Sequence, residues 1–390
     1  MITDIIIKNF KKFESISVHD LSQVNCVIGV NNVGKTSFLE GVLGLACGTK
    51  IESFLNLAVF RRFPQAQNIN NPYLIAELLY NSFHHSGNHS NSKFDFSFEC
   101  KKDRELYKFH HNFEPGSIFN FYDKNILMLP ENNEPVIKVP VKVIDGVNLF
   151  MDSPKRYIGE WTVSSHEGLS QTLSQTVQCK LHTPFQTVQF PDCAIFYVAT
   201  IHDFFTYRDE QGISRVYSHL IRSNKIDLFI EEINKSFSNN KIKDVQNIPF
   251  PDGSQGFITV QFEDGNRCPI YALGDGFRRW YEILGEMVVN PNSIHCIEEA
   301  DATLHYEAQK GFSINIVKLA KEYNNQIFLT SHNVEFLKTF LQSIREKNED
   351  ELKNGVRVIT LRDFSEKTKS RTLDGKEALD AMERGLELRK

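Results

Sequence analysis

Hydrophobic and polar positions follow two different periods along this chain, and the switches between them mark out its elements. Ile5, Ile6 and Ile7 form a short β-branched run, and Val24 to Ile28 form a second that ends at Gly29, so each predicts a strand. From Lys35 onward, Phe38, Leu39, Val42, Leu43 and Ala46 recur at helical spacing, and the helix is expected to stop near Gly48. Between about residues 50 and 190 the texture changes. Asn, His and Pro cluster there, two alternating runs (Lys93 to Cys100 and Glu105 to His111) predict a hairpin, and Val136 to Ile144 predicts a further strand.

From Cys193 the strand and helix alternation returns. Strands are expected at Ile195 to Ala199, Gly256 to Phe262, Ser293 to Ile297, Gln326 to Thr330 and Val356 to Leu361. Helices are expected over 214 to 237, after Gly276, from Leu304 to Glu322, from Val334 to about Arg345, and at the end. This pattern predicts a layered α/β domain. It is divided into residues 1–49, an inserted α+β lobe at 50–192, and residues 193–390. No internal repeat is visible and no heptad pattern persists beyond a few turns.

Composition narrows the class. With 41% hydrophobic and 24% charged residues the chain is an ordinary globular protein, which excludes global disorder and a fibrous fold. A net charge of -5 argues against coating nucleic acid through bulk positive charge, so any nucleic acid contact must be local. The longest apolar stretches, such as Phe38 to Cys47, fall short of the roughly 20 residues that cross a bilayer, and no membrane association is expected. The seven cysteines form no CxxC pair, which together with charge appearing as early as Lys8 suits a cytoplasmic protein. The histidines at 84, 85, 89, 110 and 111 lack Cys or carboxylate partners at zinc-finger spacing and are expected in a solvated loop.

The strongest chemical signal is GVNNVGKT at 29–36, which fits GxxxxGK[ST] between an apolar strand and an amphipathic helix. Gly29 and Gly34 permit the tight loop, and the backbone of Asn31, Asn32, Val33 and Ser37 completes the cradle for ATP. Lys35 should reach the β- and γ-phosphates and Thr36 should ligate Mg2+. Glu298 and Glu299 follow the strand at 293–297: the first suits the Mg2+ shell and the second can polarise the attacking water. His332 follows the strand at 326–330, placed to contact the γ-phosphate. ALGDGFRR at 272–279 precedes a helix, and the amides of Gly274, Asp275 and Gly276 form a second anion-binding surface, with Arg279 directly behind it expected to meet phosphate or an interface. One ATP serves both surfaces most economically in a head-to-tail dimer.

P-loop, Gly-rich signature, tandem carboxylates and switch histidine, in that order, resemble an ABC-class ATPase head. GDGFRR, LHY at 304–306 and TSHNVEFL at 330–337 resemble the OLD-like and abortive-infection ATPases of prokaryotes. That resemblance implies a mixed sheet flanked by helices, an ATP- and Mg2+-dependent homodimer or higher homo-oligomer, and a sensor or scaffold role in anti-phage defence. Two departures stand out: Gly274 replaces the usual signature serine, and Glu298 the usual aspartate. Gln65 and Gln67 are candidates for a glutamine loop. Arg61 and Arg62 are explained as well by solubility as by function, and core packing explains Phe13 better than base stacking. No DxD pair follows His332, so a metal-dependent nuclease is not expected in this chain and the effector, a nuclease or toxin, should be a separate protein. The alternative is a DNA-maintenance ATPase of the SMC and recombination type, which needs heptad arms that are not evident here.

Overall fold

The computed structural model describes residues 1–50, 95–115, 156–167, 173–183, 195–204, 206–236, 241–250, 256–364 and 367–389. Arg61, Arg62, Gln65, Gln67, His84, His85, His89, Cys193 and the strand expected at 136–144 lie outside the described residues.

The core is a six-stranded mixed sheet. Its order is β15 (Lys367–Asp374), β14 (Val356–Phe364), β3 (Val24–Ile28), β13 (Gln326–Thr330), β12 (Ile294–Ile297) and β8 (Ala199–His202). All pairs are parallel except β14 with β15, so the carboxyl ends of β3, β12 and β13 share one edge. In these strands alternate residues enter opposite cores. Cys26, Ile28, Ile327 and Leu329 face the helices α2 (Glu210–Arg222), α3 (Ile226–Ser236), α4 (Asp275–Val289), α5 (Tyr306–Glu322), α6 (Val334–Lys347) and α8 (Gly375–Glu383). Val27, Phe328 and Cys296 face α1 (Lys35–Cys47). A strand buried on both faces reads as a continuous apolar run, as β3 and β13 do.

On the far side of α1 lies an antiparallel sheet of order β2 (Phe13–Val18), β1 (Ile2–Phe10), β4 (Asp95–Lys102), β5 (Glu105–Pro115), β6 (Arg156–Glu167) and β7 (Leu173–Thr183). β1 pairs with β2 on one side and β4 on the other. The strands of the 50–192 stretch therefore continue the sheet begun by the first eighteen residues. Their inner faces share one core with α1, where Gly41 lets Ile7 close in: a Cβ there would lie 2.4 Å from Ile7 Cδ1. A three-stranded sheet of β9 (Ile242–Ile248), β10 (Phe257–Phe262) and β11 (Arg267–Pro269) leads into α4, and the short α7 (Glu349–Gly355) leads into β14.

Four details differ from the sequence pattern. The helical stretch expected over 214–237 starts earlier, at Glu210, and is divided into α2 and α3 where Asn224 takes a left-handed conformation (φ 54°). The strand expected at 195–199 begins only at Ala199, since the amides of Phe196 and Tyr197 both bond to Ala46 O at the end of α1. His111, expected in a solvated loop, lies in β5, buried and stacked on Phe96 at 4.6 Å between ring centroids. β15, not expected from the sequence, is a strand of almost wholly polar residues in which exposed Lys367, Lys369 and Arg371 alternate with the more buried Thr368, Ser370 and Thr372.

Candidate functional site

The site grows out of the junction between β3 and α1. Gly29 has φ 155° and Gly34 φ 104°, the second in the left-handed range that favours glycine. Packing also excludes side chains at both: a Cβ at Gly29 would meet Leu361 O at 2.7 Å, and one at Gly34 would meet the Phe13 ring at 2.9 Å. Phe13 is thereby a buried support beneath the loop. Val33 is buried too, so its side chain braces the loop and only its backbone faces the cradle. Asn31, Asn32 and Thr36 are exposed and Ser37 is half-buried. Asn32 takes φ 62°, and Lys12 Nζ donates to its carbonyl while pairing with Asp363 at 2.7 Å. α1 starts at Gly34 without a side-chain cap, leaving its positive end to the loop. Lys35 Nζ donates to Gly29 O and Val30 O, each at 3.0 Å. Burial pulls its pKa down, opposed by the charge of Glu299, reinforced by that of Arg389 and opposed again by Asp301.

The end of β12 meets this loop directly. Thr36 Oγ1 donates to Glu298 Oε1 at 2.5 Å. Glu299 turns through φ 48°, and its amide donates to Thr330 Oγ1 at 2.9 Å, while Ala300 N donates to Thr330 O at 2.8 Å. These bonds tie the carboxylate turn to the end of β13, from which His332 projects into solvent two residues on. A hydroxyl and a carboxylate in contact are the hard oxygen donors Mg2+ takes, with phosphate and water completing its octahedron. The pair fits such an ion. Among the described residues no group of three or more His, Cys, Asp or Glu converges to hold a metal unaided.

The Gly-rich turn is built differently. β11 and a 3-10 turn at Ile270–Ala272 deliver the chain to Gly274, which is exposed at φ -57° with nothing near its Cβ direction. Gly276 is close-packed, and a Cβ there would meet Thr303 O at 2.6 Å. Asp275 pairs with Arg208 at 2.6 Å, and Arg208 lies 3.9 Å above the Phe204 ring, so the acid beside this turn is compensated. Arg279, expected to face phosphate or an interface, is buried instead. Its Nη1 donates to Ala302 O at 3.0 Å and its Nη2 to Glu298 O, joining α4 to the carboxylate turn. Burial lowers its pKa, and Glu282 opposes that shift first among its neighbours.

Thr330 stands at the head of the TSHNVEFL motif, whereas His202, whose carbonyl receives Glu298 N at 2.9 Å, becomes visible only when β8 pairs with β12.

The sequence profile of a family described as AAA ATPase domain matches residues 209–337, a span holding the Gly-rich turn, the carboxylates and His332. A Helicobacter pylori protein named ATP/GTP phosphatase is 22% identical over 364 residues, covering 89% of this chain and 90% of that protein. An SMC head solved with the C-winged helix domain of ScpA matches over 97% of this chain and 99% of its own, at 12% identity and TM-score 0.48. The SMC head domain of Thermotoga maritima matches over 96% and 99%, at 11% identity and TM-score 0.41. Over residues 209–337 the chain is similar to AAA ATPase domains, and the class of activity that fold and site support is nucleotide hydrolysis. No helix among the described residues is long and apolar enough to cross a membrane.

Proposed function

We propose that the chain is an ATP hydrolase whose two sites form between the P-loop of one copy and the Gly274–Gly276 turn of another. The observation that carries this reading is convergence: β3, α1, β12 and β13 bring Lys35, Thr36, Glu298, Glu299 and His332 to one sheet edge, with Thr36 already on Glu298. In the bound state Lys35 leaves the loop carbonyls for the phosphates. Thr36 and Glu298 would hold Mg2+, which would supply charge neutralisation at the phosphates. Glu299, on its left-handed turn, orients and polarises the attacking water, and His332 senses the terminal phosphate. Gly274, with Asp275 and Gly276, offers backbone amides to the partner's phosphate without a hydroxyl, and Arg279 positions the carboxylate turn from behind.

Hydrolysis in this reading opens and closes a dimer that holds or releases a separate effector, a nuclease or toxin, in anti-phage defence. The described strands of the 50–192 stretch, β4 to β7, serve as an extension of the head's antiparallel sheet. That sheet disfavours the chromosome-maintenance alternative, because the described part between P-loop and signature pairs as strands where heptad arms would be needed.

The test is phosphate release from ATP and from GTP, the relative's name arguing for both substrates. Glu299→Gln is expected to keep nucleotide binding and lose turnover by about 100-fold or more, while Lys35→Ala loses binding itself. Equal hydrolysis by wild type and Glu299→Gln would remove Glu299 from its role.

A further inference from the structure

Behind the carboxylate turn runs a chain of buried polar side chains. His202, the last residue of β8, sets its Nδ1 2.8 and 2.9 Å from the two carboxylate oxygens of Glu282 on α4. Its Nε2 lies 3.0 Å from Nδ1 of His295 on β12, and His295 Nε2 lies 2.8 Å from Ser293 Oγ. All four residues are buried. Ser293 Oγ donates its one proton to Asn290 O at 2.6 Å, so it accepts from His295 Nε2. Burial, reinforced by the charge of His202, holds His295 well below the usual histidine range, and a neutral ring protonated at Nε2 is an acceptor at Nδ1. His202 therefore donates from Nε2, and its Nδ1 faces a carboxylate. The result is a buried ion pair between β8 and α4.

Such a pair is a poor stabiliser, because taking both charges out of water costs about what their attraction returns. Its placement gives it another role. Among the described residues β8 is the edge strand of the mixed sheet, paired with β12, and Glu282 ties it to α4. Glu298 N donates to His202 O at 2.9 Å, while Arg279 Nη2 donates to Glu298 O. Arg279 and Glu282 stand three residues apart on α4 and so share a face. One helix face thus grips both backbone groups of Glu298, the carbonyl directly and the amide through His202. Resting on the reading of this edge as a nucleoside triphosphate site, we propose that Glu282 and His202 are positioning residues of that site, holding the Glu298 amide and with it the turn that carries Glu299. α4 starts at the Gly274–Gly276 turn, so a partner's nucleotide seated there acts on the carboxylates through these same two struts. The effect falls on turnover, because Glu299 orients the water while the loop at 29–36 supplies binding.

The experiment is single-turnover ATP hydrolysis beside equilibrium ATP binding by the full chain, with folding checked by thermal melting. Wild type is compared with Glu282→Gln, His202→Asn and His202→Leu, each also combined with Glu299→Gln. His202→Leu is expected to slow turnover about tenfold with ATP affinity within about twofold. His202→Asn, whose amide can still donate to Glu282, should recover part of that loss, and Glu282→Gln should cost about threefold. Combined with Glu299→Gln, none of them should slow the reaction further, since they act through the residue already removed. If His202→Leu does not fold, the other two variants carry the same comparison. Unchanged turnover in the folded variants, affinity falling in step with turnover, or the full extra loss on top of Glu299→Gln would overturn the inference. If Glu299→Gln alone hydrolyses ATP like wild type, the reading of the site itself fails and the role of Glu282 and His202 falls with it.

Discussion

The two glycine-rich turns of this protein are opposites in construction. The turn at 29–36 is shaped by its own chain: Gly29 is pressed by Leu361 O, Gly34 lies over Phe13, and Lys35 is satisfied by carbonyls of the loop it belongs to. The turn at 274–276 is anchored at one end only, with Gly276 packed against Thr303 O and Gly274 exposed. On the proposed reading, a turn completed from within can bind phosphate as a monomer. A turn finished on one side only presents its amides outward, to whatever docks there. The contrast is why a composite site between two copies suits this chain, and it also separates two glycines that a motif treats alike.

The largest effect that would break this contrast is expected at Arg279, the strut between the second turn and the carboxylates. Arg279→Met keeps the buried volume but removes the bonds to Glu298 O and Ala302 O. Turnover should fall about tenfold or more with ATP affinity nearly unchanged, since a displaced Glu299 affects the reaction more than binding. Steady-state kinetics beside equilibrium binding reads this, and an unchanged kcat would show that α4 does not position the carboxylates.

A smaller effect sharpens the difference between the glycines. Gly276→Ala should cost about 1–3 kcal/mol in denaturant unfolding, because its Cβ meets a backbone oxygen, while Gly274→Ala should stay within about 0.5 kcal/mol. Equal costs would mean that the turn is packed alike at both ends.

An effect confined to acid pH lies in the other sheet. Burial, assisted by His110, lowers the pKa of His111 to about 3 from 6.5. Between those values the unfolded chain binds a proton that the folded chain refuses, so stability falls as pH drops through this window. His111→Phe should flatten the loss of melting temperature between pH 7 and 4 relative to wild type. An identical pH slope in the two would contradict the assignment.

Much of the candidate site's convergence was legible in the sequence because its motifs are local. GVNNVGKT, Glu298–Glu299 and Ser331–His332 each sit at the end of an apolar run, and parallel pairing of β3, β12 and β13 brings those ends together. Contributions that cross the chain were not legible. Arg389 reaches His332 O from fifty-seven residues away, and Arg279 turned inward because its partners are backbone carbonyls, which no side-chain pattern announces. The strand β15 escaped for a different reason: its alternation is between basic and hydroxyl side chains, with no apolar face to announce it, and its packing on β2, where Ser370 Oγ donates to Ser17 O, is read only in three dimensions. His111 was misplaced because aromatic stacking can bury a histidine that composition alone assigns to water.

The central claim, that each ATP is shared by two copies, is tested most directly by mixing two inactive chains. Lys35→Ala disables the P-loop, and Gly274→Asp sets a negative charge on the open turn where it should repel the partner's nucleotide without disturbing its own packing. Gly274→Asp alone should still bind ATP, and each variant alone should be inactive. A mixture should regain hydrolysis, since a heterodimer pairs the intact P-loop of one chain with the intact turn of the other in at most one site. Normal hydrolysis by Gly274→Asp alone, or a mixture as inactive as its components, would contradict the shared site.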